Sequence, residues 1–347
     1  MNGIGNNLKR ARIFKNLSLA QAGKLLNMSA TAVSKYEKGL IVPDSIKLIE
    51  FANAYDVKSI DLLGARELPK MKFDSFRKKK KLTGKRLELL KDTIQNAVAN
   101  YLDVLNLNEI GNIEIKLQRY KCNNLTDAEK AAEKYREYIK ISNIQPISDL
   151  ISILENLGIA IIQIKNINNM FDDFDGLSEI VGDIPFIVLL DDIKDGARQR
   201  FTIAHELGHL VLNVSNSEID SEKLCNRFAS SLLMPKETIV NEFGYYRKRI
   251  SMFELKSYKE EYKVSCAAIV YRLKDLDIIS DYLYKDLCIN VNKVIGKIDK
   301  NPVEPEKANK FKKLVHKLES SDIISISRAC ELLGVTINEY NIENNNY

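Results

Sequence analysis

Along residues 5 to 64, apolar positions recur at helical spacing in short runs broken by small polar turns, which predicts a set of short helices ending near Gly64. A Lys-rich stretch from about 66 to 86 interrupts that period. A new helical pattern begins at Leu87-Leu90-Ile94-Val98-Leu102, so the break is the expected domain boundary. From Thr126 a charged helix containing Asp127-Ala128-Glu129-Lys130-Ala131-Ala132 is predicted, leading into Leu150-Ile151-Ile153-Leu154. Two β-type runs follow, Ile159–Ile164 and Pro185–Leu190, rich in branched aliphatic residues. Beyond them the pattern reads as helical to the end, with a frayed Asn-rich tail from Asn341 to Tyr347.

Length changes this picture first: 347 residues exceed the roughly 250 to 300 at which single cores stop growing, so two or three domains are expected. With 45% hydrophobic and 29% charged residues the composition is that of a folded, soluble protein. No apolar run approaches the about 20 residues of a membrane-spanning helix. The start Met1-Asn2-Gly3-Ile4-Gly5-Asn6 has no apolar h-region, so a cytoplasmic protein without a membrane partner is expected. Five widely spaced cysteines, Cys122, Cys225, Cys266, Cys288 and Cys330, form neither a metal knuckle nor a disulfide framework and read as structural thiols. The net charge of +5 is unevenly placed. Ten basic residues against Asp74 and Glu88 give the window Lys70 to Lys91 a charge of +8 and leave −3 for the rest. Such a run is either a solvated linker or an added set of phosphate contacts.

Ser18 is placed to cap a helix whose Ala22 and Gly23 permit close crossing, Asn27 suits a left-handed turn, and Ser29 caps a second helix ended by Gly39. In that second helix Val33 and Tyr36 offer packing surface. Ser29, Thr31, Ser34, Lys35 and Lys38 are the candidate DNA-binding residues, since short hydroxyls reach base edges and ammonium groups meet phosphates. The segment from about 5 to 64 resembles the Xre/Cro/C1-type repressor helix-turn-helix, carried by Leu17-Ser18 through Met28-Ser29 and by Val33-Ser34-Lys35-Tyr36-Glu37-Lys38-Gly39. It departs at Leu19, where that family usually has Gln. Such modules bind DNA or dock proteins. Similar punctuation recurs at Lys263-Val264-Ser265 and Gly334-Val335-Thr336, where an ordinary capped helix hairpin is the plainer reading.

Two of only three histidines lie in His205-Glu206-Leu207-Gly208-His209. On a helix, residues four apart share a face, so His205 and His209 can offer ring nitrogens to one zinc ion, with Glu206 beside them as general base. A second helix, predicted over Glu222 to Met234 and stopped by Pro235, aligns Glu222, Asn226 and Ala229. Glu222 can complete a His₂Glu set and Asn226 can hold a ligand histidine, with Asp220 and Glu218 as alternative third ligands. His316 stands alone and is expected to be exposed.

The run Arg198 to Leu210, Glu222, Asn226-Arg227-Phe228-Ala229 and Leu232-Leu233-Met234-Pro235 resembles the ImmA/IrrE family of metallopeptidases. Asp175-Gly176-Leu177-Ser178, Tyr262 to Ser265 and Tyr271-Arg272-Leu273 extend the similarity over about residues 126 to 285. Where that family usually has Ala, this chain has Cys225, read as a packing residue.

These resemblances imply a multidomain, mainly α protein. Its parts would be an all-α helix-turn-helix bundle at 1–65, a basic linker and helical connector at 66–125, an α+β zincin-like domain with a small sheet at 126–245, and a helical region with helix-turn-helix-like segments at 246–347. The expected function is a DNA-binding regulator with a zinc endopeptidase that cleaves a partner repressor in a mobile-element or stress-response circuit. Double-stranded DNA, that repressor and a second copy of the chain are the partners considered. The alternatives are a non-proteolytic regulator whose zinc domain senses a signal, and a toxin-antitoxin component.

Overall fold

The computed structural model describes residues 3–15, 17–57, 59–63, 68–73, 84–108, 117–166, 169–214, 219–294 and 302–345. Lys78 to Lys81, the expected boundary at residues 65 and 66, and Glu218 lie outside the described residues. The protein is mostly helical, with small sheets in its central region. The chain divides into two compact units: Met1–Lys70 with Lys80–Asn96 and Ile167–Phe171, and Met71–Lys79 with Ala97–Asn166 and Asp172–Tyr347.

The first unit contains α1 (Gly3–Phe14), α2 (Leu19–Leu25), α3 (Ala30–Glu37), α4 (Ser45–Tyr55), α5 (Ser59–Leu63) and the first half of α6 (Gly84–Leu107). Its core gathers Leu8, Ala22, Val33, Phe51 and Tyr55. Each helix of the central pair starts on a side-chain cap: Ser18 and Gln21 form a reciprocal capping box, and the Ser29 hydroxyl accepts from the Ala32 N–H at 3.1 Å. Between them Asn27 takes the left-handed conformation, φ 51°. Gly23 is required by the crossing itself, because a Cβ there would lie 2.5 Å from the Met28 carbonyl oxygen. Arg12 grips buried Glu37 with Nε at 2.5 Å and Nη2 at 2.9 Å, tying α1 to the end of α3.

The second unit runs through β1 (Tyr120–Cys122), α7 (Leu125–Tyr138), α8 (Leu150–Asn156), β2 (Ala160–Ile164), β3 (Leu177–Val181) and β4 (Ile184–Leu190). It continues with α9 (Gly196–Val211), β5 (Leu212–Val214), α10 (Ser221–Leu233), α11 (Lys236–Phe243), α12 (Met252–Tyr262), α13 (Cys266–Asp275) and α14 (Asp281–Val294). The last elements are α15 (Lys310–Ser320), α16 (Ile326–Leu333) and α17 (Ile337–Asn345). The main sheet has the order β2-β4-β3, with β2 parallel and β3 antiparallel to β4. Central β4 is buried from Pro185 to Leu190, which explains why its sequence is a continuous apolar run rather than an alternating one. β3 escaped the sequence reading, as did the short parallel pair β1-β5, so the chain is not helical throughout after β4.

Three fully buried arginines lock this unit by meeting backbone carbonyls. Arg136 donates to the Leu232 oxygen at 2.7 Å near the end of α10, and burial pushes its guanidinium down to about 10. Arg272 donates to Met234 at 3.0 Å and Arg200 to Ile147 at 2.8 Å. A segment before α15 crosses the start of α9. The Gly196 N–H donates to the Val303 oxygen at 2.7 Å, Gln199 exchanges two hydrogen bonds with the Glu306 backbone, and Glu306 pairs with Arg200. His316 is only half-exposed: its ring stacks on Tyr340 and its Nδ1 lies 3.0 Å from the Tyr340 hydroxyl. The residues expected to punctuate turns do cap helices, Ser265 for α13 and Thr336 for α17.

Candidate metal centre

α9 starts on Asp195, whose carboxylate accepts the Ala197 N–H at 3.0 Å. Its apolar side, Ile203, Ala204, Leu207 and Val211, packs into the main core, which turns the i,i+4 pair His205 and His209 outward together. α10 packs along α9 and brings Glu222 to the same place. The Nε2 atoms of the two histidines are 3.2 Å apart, and the Glu222 oxygens lie 3.2 Å from His205 Nε2 and 3.5 Å from His209 Nε2. Among the described residues these three form the one group of at least three side chains with donor atoms all within 4.8 Å of one another. Two imidazoles and a carboxylate are a donor set that suits a tetrahedral ion with one position left open.

The other ring nitrogens are also engaged. His205 Nδ1 lies 2.8 Å from Asn226 Oδ1, as the sequence suggested, and His209 Nδ1 lies 3.4 Å from Cys225 Sγ. Cys225 is buried and packs on Gly208, where a Cβ would come within 3.3 Å of the sulfur. Asp220 is not part of the cluster, because its carboxylate caps α10 by accepting the Glu222 N–H at 3.1 Å.

Charge coupling within the cluster is strong. Burial pulls His205 down, but hydrogen bonding to Glu222 and the nearby carboxylate charges outweigh it and leave the imidazole above its ordinary value. Hydrogen bonds from His205 and His209 hold the Glu222 carboxyl far below the usual range.

Glu206 sits beside this cluster without joining it. It is buried, and Ser178 on β3 donates its hydroxyl to Oε2 at 2.8 Å. The sequence reading gave Ser178 no such role. The available signal was the pair Ile180-Val181 followed by the turn dipeptide Gly182-Asp183 and the apolar run of β4, which is the punctuation of a hairpin.

Glu206 and the three clustered residues open into a cleft of about 810 Å³. Its apolar wall includes Phe201, Leu233, Val264, Ala268 and Tyr271, so α13 contributes to it. In the first unit, Thr31 and Lys35 are exposed on α3 and Lys38 is exposed as its C-cap, Ser34 is half-exposed, and Val33 and Tyr36 face inward, Tyr36 against Phe51 at 5.2 Å. The Ser29 hydroxyl is committed to its cap.

Residues 154–274 match the peptidase family described as IrrE N-terminal-like domain. Residues 8–63 match the helix-turn-helix family. No curated protein matches the chain. The two matches give a DNA-binding regulator type of protein with a metallopeptidase-type domain, and they coincide with the two families resembled by the sequence motifs. No helix among the described residues is long and apolar enough to cross a membrane.

Proposed function

We propose that this chain is a cytoplasmic DNA-binding regulator carrying a zinc-dependent endopeptidase that cleaves a partner repressor. The division is the one read from the sequence: residues 1–65 as the DNA-binding module, 66–125 as the connector, 126–245 as the zincin-like domain and 246–347 as the helical remainder. His205, His209 and Glu222 would hold the ion, and Glu206 would act as general base. Ser29, Thr31, Ser34, Lys35 and Lys38 would face double-stranded DNA.

The observation that carries this reading is the placement of Glu206. A carboxylate buried next to a three-donor cluster, but not used in it, is free to move protons. Zinc, when bound, supplies the Lewis acidity that activates water near neutral pH and polarises a peptide carbonyl. Glu206 takes a proton from the attacking water as its oxygen bonds to the carbonyl carbon. Ser178 keeps the receiving carboxylate aimed. Glu206 then returns that proton to the amide nitrogen as the C–N bond breaks, leaving a carboxylic acid and an amine. The apolar wall of the cleft supports a protein substrate, since it gives an extended peptide a dry surface to rest on.

The test is co-expression of wild type or Glu206→Gln with a helix-turn-helix repressor taken from this chain's gene neighbourhood, under inducing conditions, with mass spectrometry of the repressor. Wild type is expected to produce a new terminus. Glu206→Gln should keep zinc and lose about 10² to 10⁴-fold in cleavage rate. An intact repressor with both proteins, while its promoter is still derepressed, would make the zinc domain a sensing or binding module.

A further inference from the structure

The two residues that follow one another on α10, Cys225 and Asn226, each reach the outer nitrogen of a different histidine on α9. A neutral imidazole carries one proton on its two nitrogens, so an Nε2 lone pair turned toward an ion requires the proton on Nδ1. His209 Nε2 faces His205 Nε2 at 3.2 Å and Glu222 at 3.5 Å, so an ion held there by the Nε2 lone pair would leave the His209 proton on Nδ1, toward Cys225. The sulfur lies 3.4 Å from that Nδ1, within hydrogen-bonding range of a thiol. Cys225 is 1% exposed, so bulk water has little access to act as the acceptor instead. Gly208 makes the approach feasible by presenting no side chain to the sulfur.

We propose that Cys225 is a positioning residue for the metal centre: its sulfur accepts the Nδ1–H of His209, fixing the tautomer and ring angle that aim Nε2 at the ion. The inference rests on the reading of His205, His209 and Glu222 as metal ligands. Cys225 does for His209 what Asn226 does for His205, with the difference that sulfur is the weaker acceptor. His209 is therefore the more loosely held of the two ligands. The role belongs to the thiol as an acceptor and not only as a filler of space.

The experiment uses the full chain and reads metal affinity by zinc competition against a chromophoric chelator, alongside the electronic spectrum with cobalt(II). Cys225→Ala removes the acceptor and should weaken zinc by about tenfold or more, the range seen when outer partners of ligand histidines are lost. Cys225→Ser has nearly the same reduced volume but keeps an acceptor, and should bind zinc close to wild type. Equal weakening in both variants, or none in either, overturns the proposal in favour of packing alone. A sulfur-to-cobalt charge-transfer band in wild type that disappears in Cys225→Ala also overturns it, because the thiol would then be a ligand. If wild type binds no zinc, the metal-site reading and this inference fall together. Zinc binding without repressor cleavage removes the peptidase reading alone.

Discussion

Arg272 has no exposed side-chain surface and meets Glu129 at 2.5 Å, while Arg227 reaches Glu129 at 3.2 Å and Asp275 at 2.6 Å. Burial pushes the Glu129 carboxyl up, but the two arginines outweigh it and hold the group below its ordinary value. A carboxyl with a lowered folded value stabilises the fold above the unfolded value, about 4.3, and loses that contribution as pH falls through the lowered one. Asp275 moves the other way, raised by burial against the same arginines. Glu129→Gln should therefore cost about 3 kcal/mol at neutral pH, because Arg272 would keep only Asp275, 3.9 Å away, as its counter-charge. Urea unfolding from pH 7 downward should show the gap to wild type closing below about pH 4, as wild-type Glu129 itself becomes protonated. At this scale the His205–His209 pair was legible because four-residue spacing on a helix is a local property. Ser178 reaches Glu206 across 28 residues of chain, and no local period records such a contact.

Among the elements, helices were read well because caps announce them: Ser18, Ser29 and Ser265 each begin the helix that their sequence position implied. β4 was legible from its apolar run. The three-residue strands β1 and β5 were not, since strands that short carry too little pattern to stand out from loops, and β3, Leu177-Ser178-Glu179-Ile180-Val181, neither alternates nor forms an apolar run. The turn between α2 and α3 depends on one absent side chain. Gly23→Ala would force a methyl group against the Met28 carbonyl and should destabilise the first unit by about 1 to 3 kcal/mol. Thermal unfolding monitored by circular dichroism should show a lowered transition, and specific DNA binding should fall with it.

For the whole molecule, the sequence places a boundary in the basic stretch, and the division into compact units has breaks there, after Lys70 and Lys79, and a further one inside α6, after Asn96. A helical period runs unbroken across the break after Asn96, so periodicity alone has no means of marking that one. The charge window belongs to this scale too. Each lysine that meets a phosphate adds about 0.9 to the slope of log K against log salt. Neutralising Lys78 to Lys81 in the full chain should flatten the slope for duplex DNA without changing sequence preference, whereas Thr31→Ala or Lys35→Ala should relax preference. Fluorescence anisotropy at several salt concentrations separates the two effects.

The crossing of α9 by Val303 to Glu306 bears on modularity. The peptidase family match ends at residue 274, yet Glu306, far beyond it, meets Arg200, which is 1% exposed on the helix that carries His205 and His209. A chain cut between the two would leave a buried guanidinium without its counter-charge and the Gly196 N–H without its carbonyl partner. The metallopeptidase-type part of this chain is thus not an interchangeable cassette bounded by its recognisable motifs. A transplant of that part into another protein would have to carry Val303 to Glu306 along with the histidines.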